Sequence, residues 1–119
     1  MFSRKEFGER SERQAEKYLR AHKHRIIARN FSGKQGEIDL ISVLPGKTIV
    51  FTEVRSKHDI VYGHPAETVD QRKQQKIRAT AESYLLTHKQ YDGYSCRFDV
   101  ITIVGEGKEM VLEHFPDAF

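Results

Sequence analysis

Residues 36–57 read GEIDLISVLPGKTIVFTEVRSK, two short apolar runs meeting at Pro45–Gly46, each with an acid where a strand buries hydrocarbon. Asp39 is flanked by Ile38, Leu40 and Ile41, and Glu53 follows Phe51 and Thr52, with Arg55 two residues on. A carboxylate in such a run is costly unless it is paired, hydrogen-bonded or bound to a cation. Side chains alternate across a strand, so Glu37, Asp39, Ile41 and Val43 share one face of the first run. Ile49, Phe51, Glu53 and Arg55 share one face of the second. A three-residue loop sets Leu44 opposite Thr48 and Asp39 opposite Glu53, their side chains starting about 5 Å apart. A two-residue loop slips the register by one and sends the acids to opposite faces. The residue types alone leave both registers open. In the first, the two carboxylates resist joint ionisation unless a cation lies between them.

Outward from this hairpin the chain reads as alternating elements. Residues 4–22 predict a helix with an apolar stripe of Phe7, Ala15, Tyr18 and Leu19. A first strand is expected over 24–30 and a turn over 32–36. Glu37–Leu44 and Thr48–Arg55 are the hairpin strands, and 57–69 a loop. Asp70 is placed to cap a second helix running to about His88, with Ile77, Ala81, Tyr84 and Leu85 on its buried side. Residues 97–104 (RFDVITIV) are a strand and 110–113 a short final one. The order α-β-β-β-α-β-β implies an α/β mixed sheet with helices packed on it, its most apolar strands central.

The 119 residues leave room for one domain over 1–119 with a real core, and 38% hydrophobic with 31% charged residues argues against disorder. No apolar run approaches a membrane span, and the start carries no signal-peptide segment. One cysteine, Cys96, excludes an internal disulfide, so a cytoplasmic protein with no membrane partner is expected. Cys96 precedes a strong strand with no base nearby, and burial is its expected state. The net charge of +3 is uneven: residues 1–35 carry ten Lys and Arg against four Glu. A basic third suits a protein that meets phosphate backbones, and equally suits a solvated helix face.

Two further polar residues fall on inward-facing helical positions. Glu12 precedes Ala15 and Leu19, and Gln74 precedes Ile77 and Ala81, so both are expected to reach the sheet near Asp39 and Glu53. Hard oxygen donors of this kind suit Mg²⁺ or Mn²⁺, which retain several waters and need few carboxylates. Such an ion activates water and neutralises charge on a cleaved phosphate, and Arg55 would contact that phosphate. His22, His24, His58 and His64 lack the spacing of a zinc site and read as solvated or phosphate-contacting.

GEIDLI, FTEVRSK, RKQ at the head of the second helix and RFDVITI together resemble the YraN-type family of small bacterial proteins. That family is similar to the restriction-endonuclease-like and Holliday-junction-resolvase group, and the resemblance covers essentially the whole chain. It implies a restriction-endonuclease-like α/β core, a mixed central sheet flanked by helices. It also implies a metal site from the Asp of one strand and the (D/E)-x-K of the next: Asp39, Glu53 and Arg55 here, with the Val54 carbonyl as a further ligand. The first-helix acid matches Glu12, and the second-helix Lys-Gln matches Lys73–Gln74. Resolvase-like proteins cut two strands as dimers, so a homodimer is among the implications. Two positions depart from the pattern: Ser11 stands where a glycine is usual, and Arg55 stands in the lysine position. An arginine stabilises charge but cannot act as base, which lowers the expectation of turnover.

The residues also admit structural roles. Asp39 could bond a neighbouring backbone group or Arg29, Asp99 could pair with Arg97, Glu37 could be a solvated edge residue, and Glu12 and Gln74 could lie in surface networks. Three functions follow. The first is a Mg²⁺- or Mn²⁺-dependent nuclease on structured nucleic acid, DNA in preference to RNA. In it Asp39, Glu53 and Glu12 hold the ion, and Arg55, Lys57, Lys73 and Gln74 contact phosphate. The second is a non-catalytic nucleic-acid-binding module with the same fold. The third is a protein-interaction subunit, separated from the others by a shallow salt dependence of any nucleic-acid binding.

Overall fold

The computed structural model describes residues 4–56, 69–105 and 107–119. Helix α1 (Arg4–Ala21) leads into three antiparallel strands, β1 (Arg25–Ser32), β2 (Glu37–Leu44) and β3 (Thr48–Ser56). Helix α2 (Gln71–Thr87) follows, then β4 (Ser95–Val104) and β5 (Val111–Phe115). The sheet order is β1-β2-β3-β4-β5, with β3 and β4 parallel and every other pair antiparallel. A parallel pair requires a crossover, and α2 lies within it. The chain is thus α/β, a mixed sheet flanked by helices, in the element order read from the sequence. Among the described residues no helix is long and apolar enough to cross a membrane.

The two helices cover opposite faces. Ile77, Ala81 and Tyr84 of α2 cluster with Ile41, Val43, Ile49, Phe51, Phe98 and Val100. Ala15 and Leu19 of α1 cluster with Leu40, Ile101 and Ile103. Phe98 and Val100 thus face one helix while Ile101 and Ile103 face the other, as strand alternation demands. The central strand β3 is covered on both faces: Ile49, Val50, Phe51 and Thr52 are all buried. Each fully buried Leu, Ile or Phe contributes about 1.5–3 kcal/mol relative to exposure. The expected helical stripes hold at Ala15, Leu19, Ile77, Ala81 and Tyr84, while Tyr18 and Leu85 are half-buried. The Phe7 side chain lies outside the described set.

Boundaries shift where side chains cannot signal pairing. Strand β1 runs two residues beyond its expected end, because Phe31 pairs with Ile38 and Ser32 with Glu37. The turn then closes with the Gly33 amide donating to the Gly36 carbonyl at 2.8 Å. Strand β4 starts two residues early, at Ser95, whose amide donates to the Lys47 carbonyl. This early start corrects the expectation for Cys96. It occupies the solvent end of β4, opposite Ile49, and is exposed. The expected loop over 57–69 lies outside the described residues, apart from Val69, which is fully buried.

The hairpin takes the three-residue loop. Leu44 pairs with Thr48, and the bend runs through Gly46 at φ +90° and Lys47 at φ +63°. This decides the register between β2 and β3, and with it the position of the two acids.

Candidate functional site

The β2–β3 ladder pairs residues from Leu44–Thr48 up to Leu40–Thr52, and the next position in that register is Asp39 opposite Glu53. There the backbone pairing stops. The Val54 amide, which continued pairing would direct to the β2 backbone, donates instead to Asp39 Oδ2 at 2.8 Å. The acids therefore sit where the two strands part, at the end of the sheet, and residues from both helical layers reach them. The resulting cleft of about 260 Å³ is lined by Ser11 and Glu12 from α1, Asp39, Glu53 and Arg55 from the strands, and Lys73 from the first turn of α2.

The electrostatics are uneven across the pair. Asp39 has its carboxyl pushed well above the usual range, first by burial, then by the charge of Glu53. The Val54 amide offsets part of this, while Glu12 and a hydrogen bond with the Glu53 carboxyl add to it. Glu53 is buried, and its Oε1 lies 3.3 Å from Lys73 Nζ and 3.9 Å from Arg55 Nη1. Glu12 also has a raised pKa, first from desolvation. A hydrogen bond from Asn30 opposes the rise, and the charges of Glu37, Glu53 and Glu9 favour it. Asn30 Nδ2 donates to Glu12 at 2.8 Å and to Glu37 at 3.2 Å, which keeps these two acids side by side.

Asp39, Glu53, Arg55, Glu12 and Lys73 are thus brought to one cleft. Gln74 is placed differently: its Nε2 donates to the Val69 carbonyl at 2.7 Å, securing the entry to α2. Lys57 lies outside the described residues, as do His58 and His64. Arg29, considered as a partner for Asp39, pairs instead with Glu16 of α1. The cap on α2 is as expected, with Asp70 accepting from the Lys73 amide at 2.8 Å.

Among the described residues no three His, Cys, Asp or Glu side chains gather closely enough to form a ready-made metal cage. Magnesium-type ions do not need one, since one or two carboxylates plus water and substrate oxygens satisfy them. A pair of desolvated, mutually repelling carboxyl groups opening on a polar cleft fits that requirement. The cost that raises the pKa of Asp39 is the cost a divalent ion would remove.

A second polar constellation lies under the C-terminal end of α1. Asp99 on β4 is fully buried and accepts from Arg97 Nε and Nη2 at 2.9 and 2.8 Å, from His114 Nε2 at 2.7 Å, and from the Asp117 amide at 3.0 Å. Burial pushes its pKa up, but the His114, Arg97 and Asp117 hydrogen bonds outweigh it and bring the carboxyl down to about 2. Beside it, His24 Nδ1 lies 2.8 Å from Ser42 Oγ, and its ring is 6.0 Å from that of His114. This corrects the reading of His24 as solvated: it is buried, and desolvation lowers its pKa to about 4. The α1–β1 connection turns inward there, with the His24 amide bonded to the Leu19 carbonyl. The Arg97–Asp99 spacing on one strand face was visible in the sequence. The approach of His24 and His114 from distant elements had no local signal.

Comparison with known proteins assigns the chain to a family. The model of the uncharacterised protein family UPF0102 matches residues 11–103, a span that contains Glu12, both strand acids and Asp99. A UPF0102 protein of Desulforamulus reducens is 39% identical over 117 residues, covering 97% of this chain and 96% of its own. One of Geobacter metallireducens is 40% identical over 115 residues, covering 97% and 93%. One of Persephonella marina is 43% identical over 112 residues, covering 94% and 91%. With a family match across the sheet and near-complete relatives at this identity, the chain belongs to the UPF0102 family.

Proposed function

We propose that this protein is a divalent-metal-dependent nuclease that hydrolyses backbone phosphodiesters of structured nucleic acid, DNA in preference to RNA. The observation that carries the reading is the pair Asp39–Glu53, two carboxyl groups set opposite one another at the parting of two strands, in a cleft that also presents Arg55 and Lys73. Asp39 and Glu53 would hold Mg²⁺ or Mn²⁺, with Glu12 behind them. Such an ion, when bound, polarises water and neutralises charge on the phosphate.

The remaining work falls to the chain's own groups. Hydrolysis joins the water oxygen to phosphorus and breaks one P–O ester bond, the proton from water ending on the leaving oxygen. Arg55, half-buried beside Glu53 with its charge fixed, stabilises the extra negative charge on the phosphate but takes no proton. Lys73 supplies a mobile positive charge at the cleft mouth, where its side chain is 41% exposed. Lys57 and the basic α1 surface extend the contact to flanking phosphates, as a backbone-reading protein requires. Arg55 in place of a lysine also favours a second reading, a binding module with the same cleft and no turnover.

Calorimetric titration with Mn²⁺ tests the site, using the wild-type chain and Glu53→Ala. Binding in the wild type that disappears in the variant supports it, and cleavage of branched or linear DNA then separates enzyme from binding module. Equal titrations in both proteins would make the acid pair structural.

A further inference from the structure

Lys73 lines two clefts at once. On one side its ammonium is 3.3 Å from Glu53 Oε1. On the other lies a second cleft of about 410 Å³, where Lys73 is joined by Arg72 and Lys76. Arg72 and Lys76 are exposed, and no ion pair among the described residues involves either. Glu37 and Asp70 also line this cleft, but the Asp70 carboxylate is committed to capping α2 through the Lys73 amide. The attraction for an anion there comes from the three side-chain cations rather than from the helix end.

Building on the metal-site reading, we propose that Lys73 is an ionic latch. Without substrate its ammonium sits on Glu53 and competes with the divalent ion for that carboxylate. A backbone phosphate docking between Arg72 and Lys76 draws it across, leaving Glu53 open to the ion. The side chains differ in their freedom to do this. Lysine carries a point charge on a flexible four-carbon stem with rotatable donors. Arg55, the other cation near Glu53, has a side chain only 16% exposed and is held at the strand. Phosphate and metal each favour the state in which Lys73 has left Glu53, so each must tighten the other's binding by the same factor. The ligand of the second cleft is then a phosphodiester of the same nucleic acid strand, flanking the one at the acid pair.

The test uses Mn²⁺ and a short phosphorothioate DNA duplex as probes on the full chain. Calorimetry measures Mn²⁺ affinity of the protein alone, and fluorescence anisotropy measures duplex affinity with and without Mn²⁺. Wild type should bind the duplex about tenfold more tightly when Mn²⁺ is present. Lys73→Met should bind Mn²⁺ alone about tenfold more tightly than wild type, and the dependence of its duplex affinity on Mn²⁺ should shrink to the part that direct contact between ion and phosphate supplies. Removing a partner of a buried acid can weaken the fold, so the double variant Arg72→Gln, Lys76→Gln provides a second arm with the latch intact. It should keep wild-type Mn²⁺ affinity and lose duplex affinity, with a shallower salt dependence. The latch is overturned if Lys73→Met binds Mn²⁺ no more tightly than wild type, or if wild-type duplex affinity ignores Mn²⁺. Mn²⁺ binding that survives Glu53→Ala would instead remove the metal site itself, and the latch with it.

Discussion

Asp39 and Asp99 sit on the same sheet, and their surroundings push them in opposite directions. Asp99 is fully buried, yet four hydrogen bonds reach it, two from Arg97, one from His114 and one from the Asp117 amide, and its pKa falls to about 2. Asp39 receives one backbone hydrogen bond and faces the carboxyl of Glu53, and its pKa rises. A buried acid supplied with donors is a structural tie, since every lone pair has a partner. A half-buried acid facing another acid is held by the rest of the fold against its own preference, and such strain collects at functional sites. On this physical difference rests the assignment of Asp39 to the proposed site and of Asp99 to the scaffold.

The largest effect should come from the satisfied acid. Asp99→Ala leaves Arg97 and His114 facing an empty, desolvated position, and should lower stability by about 3–5 kcal/mol, read from urea unfolding at neutral pH. In the wild type this tie should be present above the ordinary carboxylate pKa of 3.8 and fail as pH falls toward about 2. Loss of less than about 1 kcal/mol in Asp99→Ala would erase the contrast between the two acids.

His24 breaks first on acidification. Its pKa is lowered to about 4 by burial, with Asp99 opposing and His114, Arg97 and His22 assisting, so the folded protein holds it neutral. The unfolded chain binds the extra proton below the ordinary value of 6.5, so stability should fall as pH drops from there toward 4, at up to about 1.4 kcal/mol per pH unit. His24→Gln should flatten that limb of a pH–stability curve while leaving the low-pH loss due to Asp99.

The frustrated acid should behave in the reverse sense. Asp39→Asn removes a like-charge contact and should raise thermal stability by about 0.5–2 kcal/mol in the absence of divalent ions. Mn²⁺ at a hundred times its dissociation constant should stabilise the wild type by about 2.7 kcal/mol and leave the variant unmoved. A destabilised Asp39→Asn would place Asp39 with Asp99 among the structural ties. The smallest effect belongs to the surface: Arg29→Ala, which releases an exposed pair with Glu16, should change stability by less than about 1 kcal/mol.

Much of this contrast was legible beforehand, but not evenly. The alternation in residues 37–56 exposed two acids out of place, and the loop length at Pro45–Lys47 offered the register that the structure adopts. The Asp70 cap and the stripe Ile77–Ala81–Tyr84 set α2 to within a residue of its observed ends. The end of β1 was missed because Phe31 and Ser32 pair across a turn whose hydrogen bond is made by backbone alone. Cys96 was misread because burial near a strand end depends on what covers that end, which hydropathy does not encode.

The amino-acid sequence by itself therefore determined the elements, their order and the presence of an acid on each of two apolar strands, because strand and helix periods are local properties of the chain. The register that sets the two acids opposite one another came from the fold. Only the tertiary structure decided which groups answer those carboxylates. Lys73 reaches Glu53 across a crossover, and His114 reaches Asp99 from the neighbouring strand at a separation of fifteen residues. His24 is buried because the chain turns inward after α1, beside Ser42 and the His114 ring. Contacts of that kind depend on how helices lie over a twisted sheet, where a small rotation moves a side-chain tip by several ångströms. No periodicity along the chain carries that information; it comes from the packing of the two faces together.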